Sequence, residues 1–179
     1  MKSFRIVLAV VLVALATAAV AQSDAQKTFD KIKTLAGTWE GHVTVDPPMK
    51  GMGENDSVQV TMRITSRGNA LVHEMKGLGD SDDPTKNDHP VTMFYVDGDK
   101  LILTHYCDAG NRPRMVAKPS SELKEVDFSF LDISGGTQFG HMDHASFNVI
   151  DENHHSEDWF FLMPGDKLMH GHMDLKRVK

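Results

Sequence analysis

The sequence predicts an all-β fold: an antiparallel up-and-down meander of about ten short strands, closed into a barrel, behind one short N-terminal helix. Three observations carry this expectation. From Trp39 onward the apolar residues recur with a period of two. Turn residues punctuate that pattern at short intervals, and no helical periodicity separates the strands. Local connections favour a meander, and closing it removes the exposed edges that an open sheet leaves. A two-sheet sandwich satisfies the same periodicity, so alternation alone does not choose between the two.

Composition bounds the architecture. The chain has 179 residues, 40% hydrophobic and 25% charged, enough for one modest core and no more. No internal repeat of roughly 20–50 residues is present. Residues 1–21 read as a secretory signal peptide and 22–179 as the barrel domain. Lys2 and Arg5 precede an uninterrupted apolar run from Ile6 to Ala16, and Ala19 and Ala21 offer an A-x-A site with cleavage before Gln22. The apolar stretch ends at Ala21, short of the roughly 20 residues that span a bilayer, which argues against an anchor. The expected destination is therefore secreted or periplasmic, with no membrane span in the mature chain.

Cleavage removes two cations and no acid, taking the formal charge from −6 to −8. An acidic surface repels phosphate backbones and anionic lipids, which disfavours nucleic-acid and membrane-surface partners. Cys107 is the single cysteine, so stability in an oxidising compartment has to come from packing and hydrogen bonds. Its place after Leu101-Ile102-Leu103 marks it as a small buried residue rather than a nucleophile.

Taken in order, Ser23 or Asp24 caps a helix running to about Ala36, with Phe29, Ile32, Leu35 and Ala36 on one face and Gly37 as its stop. Strands follow near Trp39–Val45, Ser57–Ser66, Ala70–Gly77, Val91–Val96 and Lys100–Tyr106. Five more lie near Pro113–Lys118, Leu123–Phe130, His141–Ile150, His155–Met163 and Lys167–Val178. Asp97-Gly98 is the strongest hairpin signal among their turns. Two longer loops remain, Asp46–Asp56 and the acidic Leu78–Pro90.

Leu35-Ala36-Gly37-Thr38-Trp39-Glu40-Gly41, placed after a helix and before the meander, resembles the opening of lipocalin-like (calycin) barrels, including the nitrobindin-like ones. The stretch Leu103–Cys107 with Gly110–Met115 is also similar to a block in secreted relatives of that kind. The resemblance implies that Trp39 packs under a basic residue near the chain's end, and Arg177 is the one available. It also implies a haem-like ligand, with His170 the closest match to the C-terminal iron ligand of nitrobindin-like barrels. Strand parity opposes that match, because His170 falls on the face opposite Met169 and Met173.

The candidate site residues follow from parity. His105 shares a face with Leu101, Leu103 and Cys107, and His141 with Ala145, Phe147 and Val149, so both are expected inside. Leu101, Leu103, Met93, Tyr95, Phe147 and Trp159 are expected to line or underlie a cavity. His105, His141 and Arg114 would orient its ligand, Arg114 by presenting a fork to a carboxylate. Ten His and eleven Met raise a second possibility. His170 and His172 share one strand face and could chelate copper or zinc, with His141, His144, His154 or His155 as further ligands. Catalysis has little support: there is no Gly-x-Ser-x-Gly elbow, no His-Glu-x-x-His and no phosphate loop. The expectation is a small-ligand-binding barrel for a largely apolar molecule. The alternatives are a cell-envelope metal-binding protein and a ligand-free structural barrel.

Overall fold

The computed structural model describes residues 22–48, 56–118 and 124–178, so the expected leader, 1–21, lies outside the described residues. One helix, α1 (Asp24–Lys33), is followed by β1 (Gly37–Asp46), β2 (Asp56–Thr65), β3 (Ala70–Gly77), β4 (Val91–Asp97) and β5 (Lys100–Tyr106). The second half comprises β6 (Arg112–Ala117), β7 (Glu125–Ser134), β8 (His141–Asp151), β9 (His154–Met163) and β10 (Lys167–Arg177). Every strand pairs antiparallel with its chain neighbour, and β1 pairs with β10 to close the barrel. The sandwich alternative is thereby excluded.

The helix begins where a side chain can satisfy its free N–H groups. Ser23 accepts from the Gln26 amide at 3.2 Å. Its apolar face, Phe29, Ile32 and Leu35, is fully buried in one cluster with Trp39, Leu101 and Leu103, which point inward from the strands. The helix thus fills one end of the barrel, and the strands' apolar interior supplies the surface it packs against.

That end is tied off at the first and last strands. Trp39 donates its indole N–H to the Leu35 carbonyl at 2.8 Å. The Arg177 guanidinium stands 4.0 Å over the Trp39 ring and donates to the carbonyls of Ala36 (2.7 Å), Thr34 (3.0 Å) and Glu152 (2.8 Å). Two of these acceptors close the helix C-terminus, where unpaired carbonyls favour a cation. Arg177 therefore links the helix, β1 and the turn before β9 through one planar group.

Register decides which side chains enter the interior, and on β4 and β8 the inward set differs from the expected one. On β4, Phe94 pairs with Leu103 and Thr92 with His105, so Phe94 and Thr92 face inward while Met93 and Tyr95 face outward. On β8 a bulge shifts the register between Met142 and His144, so Met142 pairs with Phe161 and turns inward in place of His141.

Closure of the β1–β10 seam also requires Gly41. A Cβ at this position would overlap the backbone carbonyl oxygen of Asp174. The Gly41→Ala protein should lose at least about 3 kcal/mol of stability, because backbone rather than a flexible side chain must give way. Gly171→Ala, whose Cβ would meet nothing nearer than a carbonyl oxygen at 3.9 Å, should stay close to wild type. Urea unfolding of the two variants checks the contrast.

Candidate functional site

The end of the barrel away from α1 contains a cavity of about 480 Å³. Its wall is mainly apolar: Val43, Val45, Met75, Met142, Phe161, Met169 and Met173 surround it. Flexible thioethers let such a wall adapt to irregular contents. The polar groups are few. His73, His105 and the Trp159 ring border it, Cys107 stands on β5's continuation, and the exposed Asp88 and Asp108 lie on its rim.

Two of those groups, His73 and Trp159, belong to a buried network built around Glu157. Glu157 has no exposed surface and lies on β9 between His155 and Trp159, all three facing inward. Its carboxylate accepts from His155 Nε2 at 2.9 Å, His73 Nε2 at 3.0 Å and Trp159 Nε1 at 2.9 Å. An ionised carboxylate only accepts, so each imidazole presents an N–H to it. Burial pushes the Glu157 carboxyl up, but the charge of His73 and the hydrogen bonds from His155 and His73 more than reverse this, holding it well below the usual carboxylate range. The network continues to the closed end, where the His155 ring meets Trp39 edge-on at 4.2 Å.

His105 has the opposite character. Its Nδ1 is 2.9 Å from the Thr92 hydroxyl, while its Nε2 is buried without a hydrogen-bond partner. Its ring lies 5.4 Å from that of Trp159. Burial, reinforced by the charge of His73, lowers its pKa to about 3. A neutral imidazole with one uncommitted nitrogen thus borders an otherwise apolar wall.

Of the residues expected at a ligand, the structure brings His105 and Trp159 together and places the others elsewhere. Tyr95 lies on the outer face, 3.2 Å from the Thr104 hydroxyl. The inward position went to Phe94 because Thr92, two residues before it, is satisfied inside by His105. Arg114 is also outside, in a forked ion pair with Asp132 (Nε to Oδ1, 2.7 Å). His141 is displaced outward by the β8 bulge; its Nδ1 donates to the Met142 carbonyl at 3.0 Å and its ring lies against Phe130. His154 and His155 fall on opposite faces, His154 pairing with Asp174 at 3.0 Å. Cys107 is half-buried rather than buried, and burial raises its thiol pKa.

His170 and His172 point outward from β10 and share Asp158, at 2.6 and 2.8 Å from its Oδ1. His170 therefore cannot reach a ligand in the cavity, and the haem role attached to it falls. The cavity itself suits haem poorly: among the described residues no Lys or Arg lines it to receive propionates, and two carboxylates stand on its rim.

Sequence reasoning missed His73 and Glu157. The signal for Glu157 was present, since His155, Glu157 and Trp159 have one parity and Trp159 was expected inside. A charged residue at a core position reads as an exposed one until its donors are known, and His73 lies far away in sequence.

Fold and cavity together define an all-β, closed antiparallel barrel of ten strands, with one capped end and one hollow end. Rv2717c from M. tuberculosis is similar in structure, with a TM-score of 0.59 at 13% identity, covering 85% of this chain and 98% of that one. A DUF3598 protein of unknown function from Nostoc punctiforme matches with a TM-score of 0.46 at 9% identity, over 82% of this chain and 48% of that one. At such identities the first likeness shows the fold alone. No family model and no curated protein matches the chain.

The network makes two predictions. Glu157→Gln sets an amide N–H₂ among three N–H donors, and should cost about 3–5 kcal/mol in urea unfolding. The second concerns acid. The unfolded chain takes up a proton at His105 near pH 6.5 that the native protein refuses until about pH 3, so stability falls as pH is lowered through that interval. Glu157, depressed in the fold, adds to the loss below its ordinary value of 4.5. In His105→Gln the slope of unfolding free energy between pH 6 and 4.5 should be shallower by about 1 kcal/mol per pH unit.

Proposed function

We propose that this protein is a secreted or periplasmic binding protein of the lipocalin-like (calycin) kind, holding a small, largely apolar molecule at the open end of its barrel. The observation that carries the reading is the pairing of a Met-rich cavity of about 480 Å³ with the partnerless Nε2 of His105 on its wall. Buried polar atoms are almost always paired in the absence of a role, and a ligand group of matching polarity supplies the missing partner.

The wall also selects charge. Asp88 and Asp108 stand close enough at the rim for burial and the neighbouring Asp108 charge to raise the Asp88 pKa. Among the described residues no Lys or Arg lines the cavity and the His73 charge is engaged by Glu157, so a carboxylate or phosphate on the ligand would be buried without a compensating charge. The ligand class is therefore an apolar body with a neutral or cationic polar end.

Gly171 offers a direct test. It lies on the cavity wall, and a side chain added there meets only open space beyond a carbonyl oxygen at 3.9 Å. The neutral fluorophore N-phenylnaphthylamine should bind the mature protein saturably, with one site per chain. Gly171→Leu fills the cavity and should weaken that binding at least tenfold without lowering the melting temperature. Equal binding by both proteins would overturn the assignment to this cavity.

A further inference from the structure

We propose that Asp158, His170 and His172 form a binding site for a borderline divalent cation, of the zinc or copper type, on the outer wall of the barrel. The site is separate from the cavity and does not depend on its contents.

The β-strand geometry builds it. His170 and His172 are two apart on β10 and so project from the same face. Asp158 on β9 pairs directly with His172, and Phe160 pairs with His170. One carboxylate is thus opposite one imidazole and diagonal to the other, within reach of both. One ring nitrogen of His170, one of His172 and an Asp158 oxygen all lie within 4.8 Å of one another.

The donor set matches the cation. Two imidazoles and a carboxylate suit zinc and copper, and three protein ligands leave a coordination position for water or a small anion. Metal–ligand bonds of roughly 2.0–2.1 Å put neighbouring ligand atoms about 3.4 Å apart in a tetrahedral site. The present separations of 2.6 and 2.8 Å are those of hydrogen bonds, in which ring N–H groups point at the carboxylate. A cation replaces those protons and needs the carboxylate to withdraw by less than an ångström.

Two further features hold the set in place. Phe160 lies flat on the His170 ring, with centroids 4.4 Å apart and planes 5° from parallel, fixing its orientation. Asp46 on β1 pairs with His170 from the other side and is exposed, adding a carboxylate one strand away that favours a cation. Two other outer-face histidines, His144 and His154, lack this arrangement, each meeting a single carboxylate, Asp127 at 2.6 Å and Asp174 at 3.0 Å. Among the described residues, no other group of this kind brings together three candidate ligands.

The experiment uses mature, untagged, metal-free protein titrated calorimetrically with zinc sulfate. One ion per chain is expected. Asp158→Asn should weaken binding at least tenfold, and His170→Asn with His172→Asn should abolish stoichiometric binding. His154→Asn should change nothing. Circular dichroism and retained binding of N-phenylnaphthylamine, or an unaltered melting temperature, show that the variants are folded. Cobalt(II) should give visible bands in wild type that the double variant loses. Stoichiometric zinc binding that survives the double variant overturns the proposal. So does weak binding that falls as much in His154→Asn, the signature of adventitious imidazoles.

Discussion

The rest of the interior is arranged around one buried carboxylate. Glu157 cannot be left unpaired in an apolar core, and its three N–H donors come from β3 and β9, on opposite sides of the barrel. Satisfying it therefore fixes a distance across the interior. It also fixes the ring planes of His155, which meets Trp39, and of Trp159, which meets Phe147 at 5.6 Å and His105 at 5.4 Å. Below this level Phe94, Phe128 and Phe147 pack edge to face at 5.3–6.0 Å and fill the space beside the helix. Above it the lining changes to methionines and valines, and a cavity remains. The carboxylate network is the boundary between the filled and hollow parts of the barrel.

How much of this the sequence could show depends on how each feature is encoded. Local signals reported the strands well: β3 and β5 were expected within the limits observed, Ala70–Gly77 and Lys100–Tyr106. Ser23, Gly37 and Asp97-Gly98 act through their own backbone, so their effect is written beside them. Parity reported His105 and Trp159 correctly for the same reason, since β5 and β9 run unbroken through those positions. It misplaced His141 because the β8 bulge at Asp143 is a property of pairing with β9, with no mark in the period-two pattern. Tyr95 was misplaced because both faces of β4 carry apolar residues, and only a hydrogen bond to another strand makes inward Thr92 tolerable. The network around Glu157 was the least legible element, because its stability rests on His73, 84 residues away.

Histidines on the two faces of this barrel do different chemistry. Inside, the two cavity-wall imidazoles split into one that serves the carboxylate and one, His105, kept neutral with a free nitrogen. Outside, His144, His154, His170 and His172 each stand beside an aspartate in partly solvated surroundings. Surface pairs of this kind contribute little to stability on their own. Their abundance is thus not explained by holding the fold, which the β1–β10 seam and the Arg177–Trp39 contact already accomplish. Only where two imidazoles converge on one carboxylate does the outer wall become a ligand set rather than a row of isolated pairs.

The polar interior is itself an argument for function. Well-packed apolar residues would fill a barrel of this size at least as stably as a buried Glu with two His, and without the acid sensitivity. Thr92 and His105 could be replaced by a second aromatic pair continuing the Phe94–Phe128–Phe147 stack, removing the orphaned nitrogen of His105. Instead, polar groups are concentrated at the one level where the packed core gives way to the cavity. Glu157 holds Trp159 and His73 by hydrogen bonds, and Thr92 holds His105, so the fold itself positions the wall's polar side chains. Rigid placement of a few polar atoms among adaptable thioethers is how a small cavity combines orientation with tolerance of shape. A filled structural barrel requires neither, and the arrangement is the physical reason to read the hollow end as the working end.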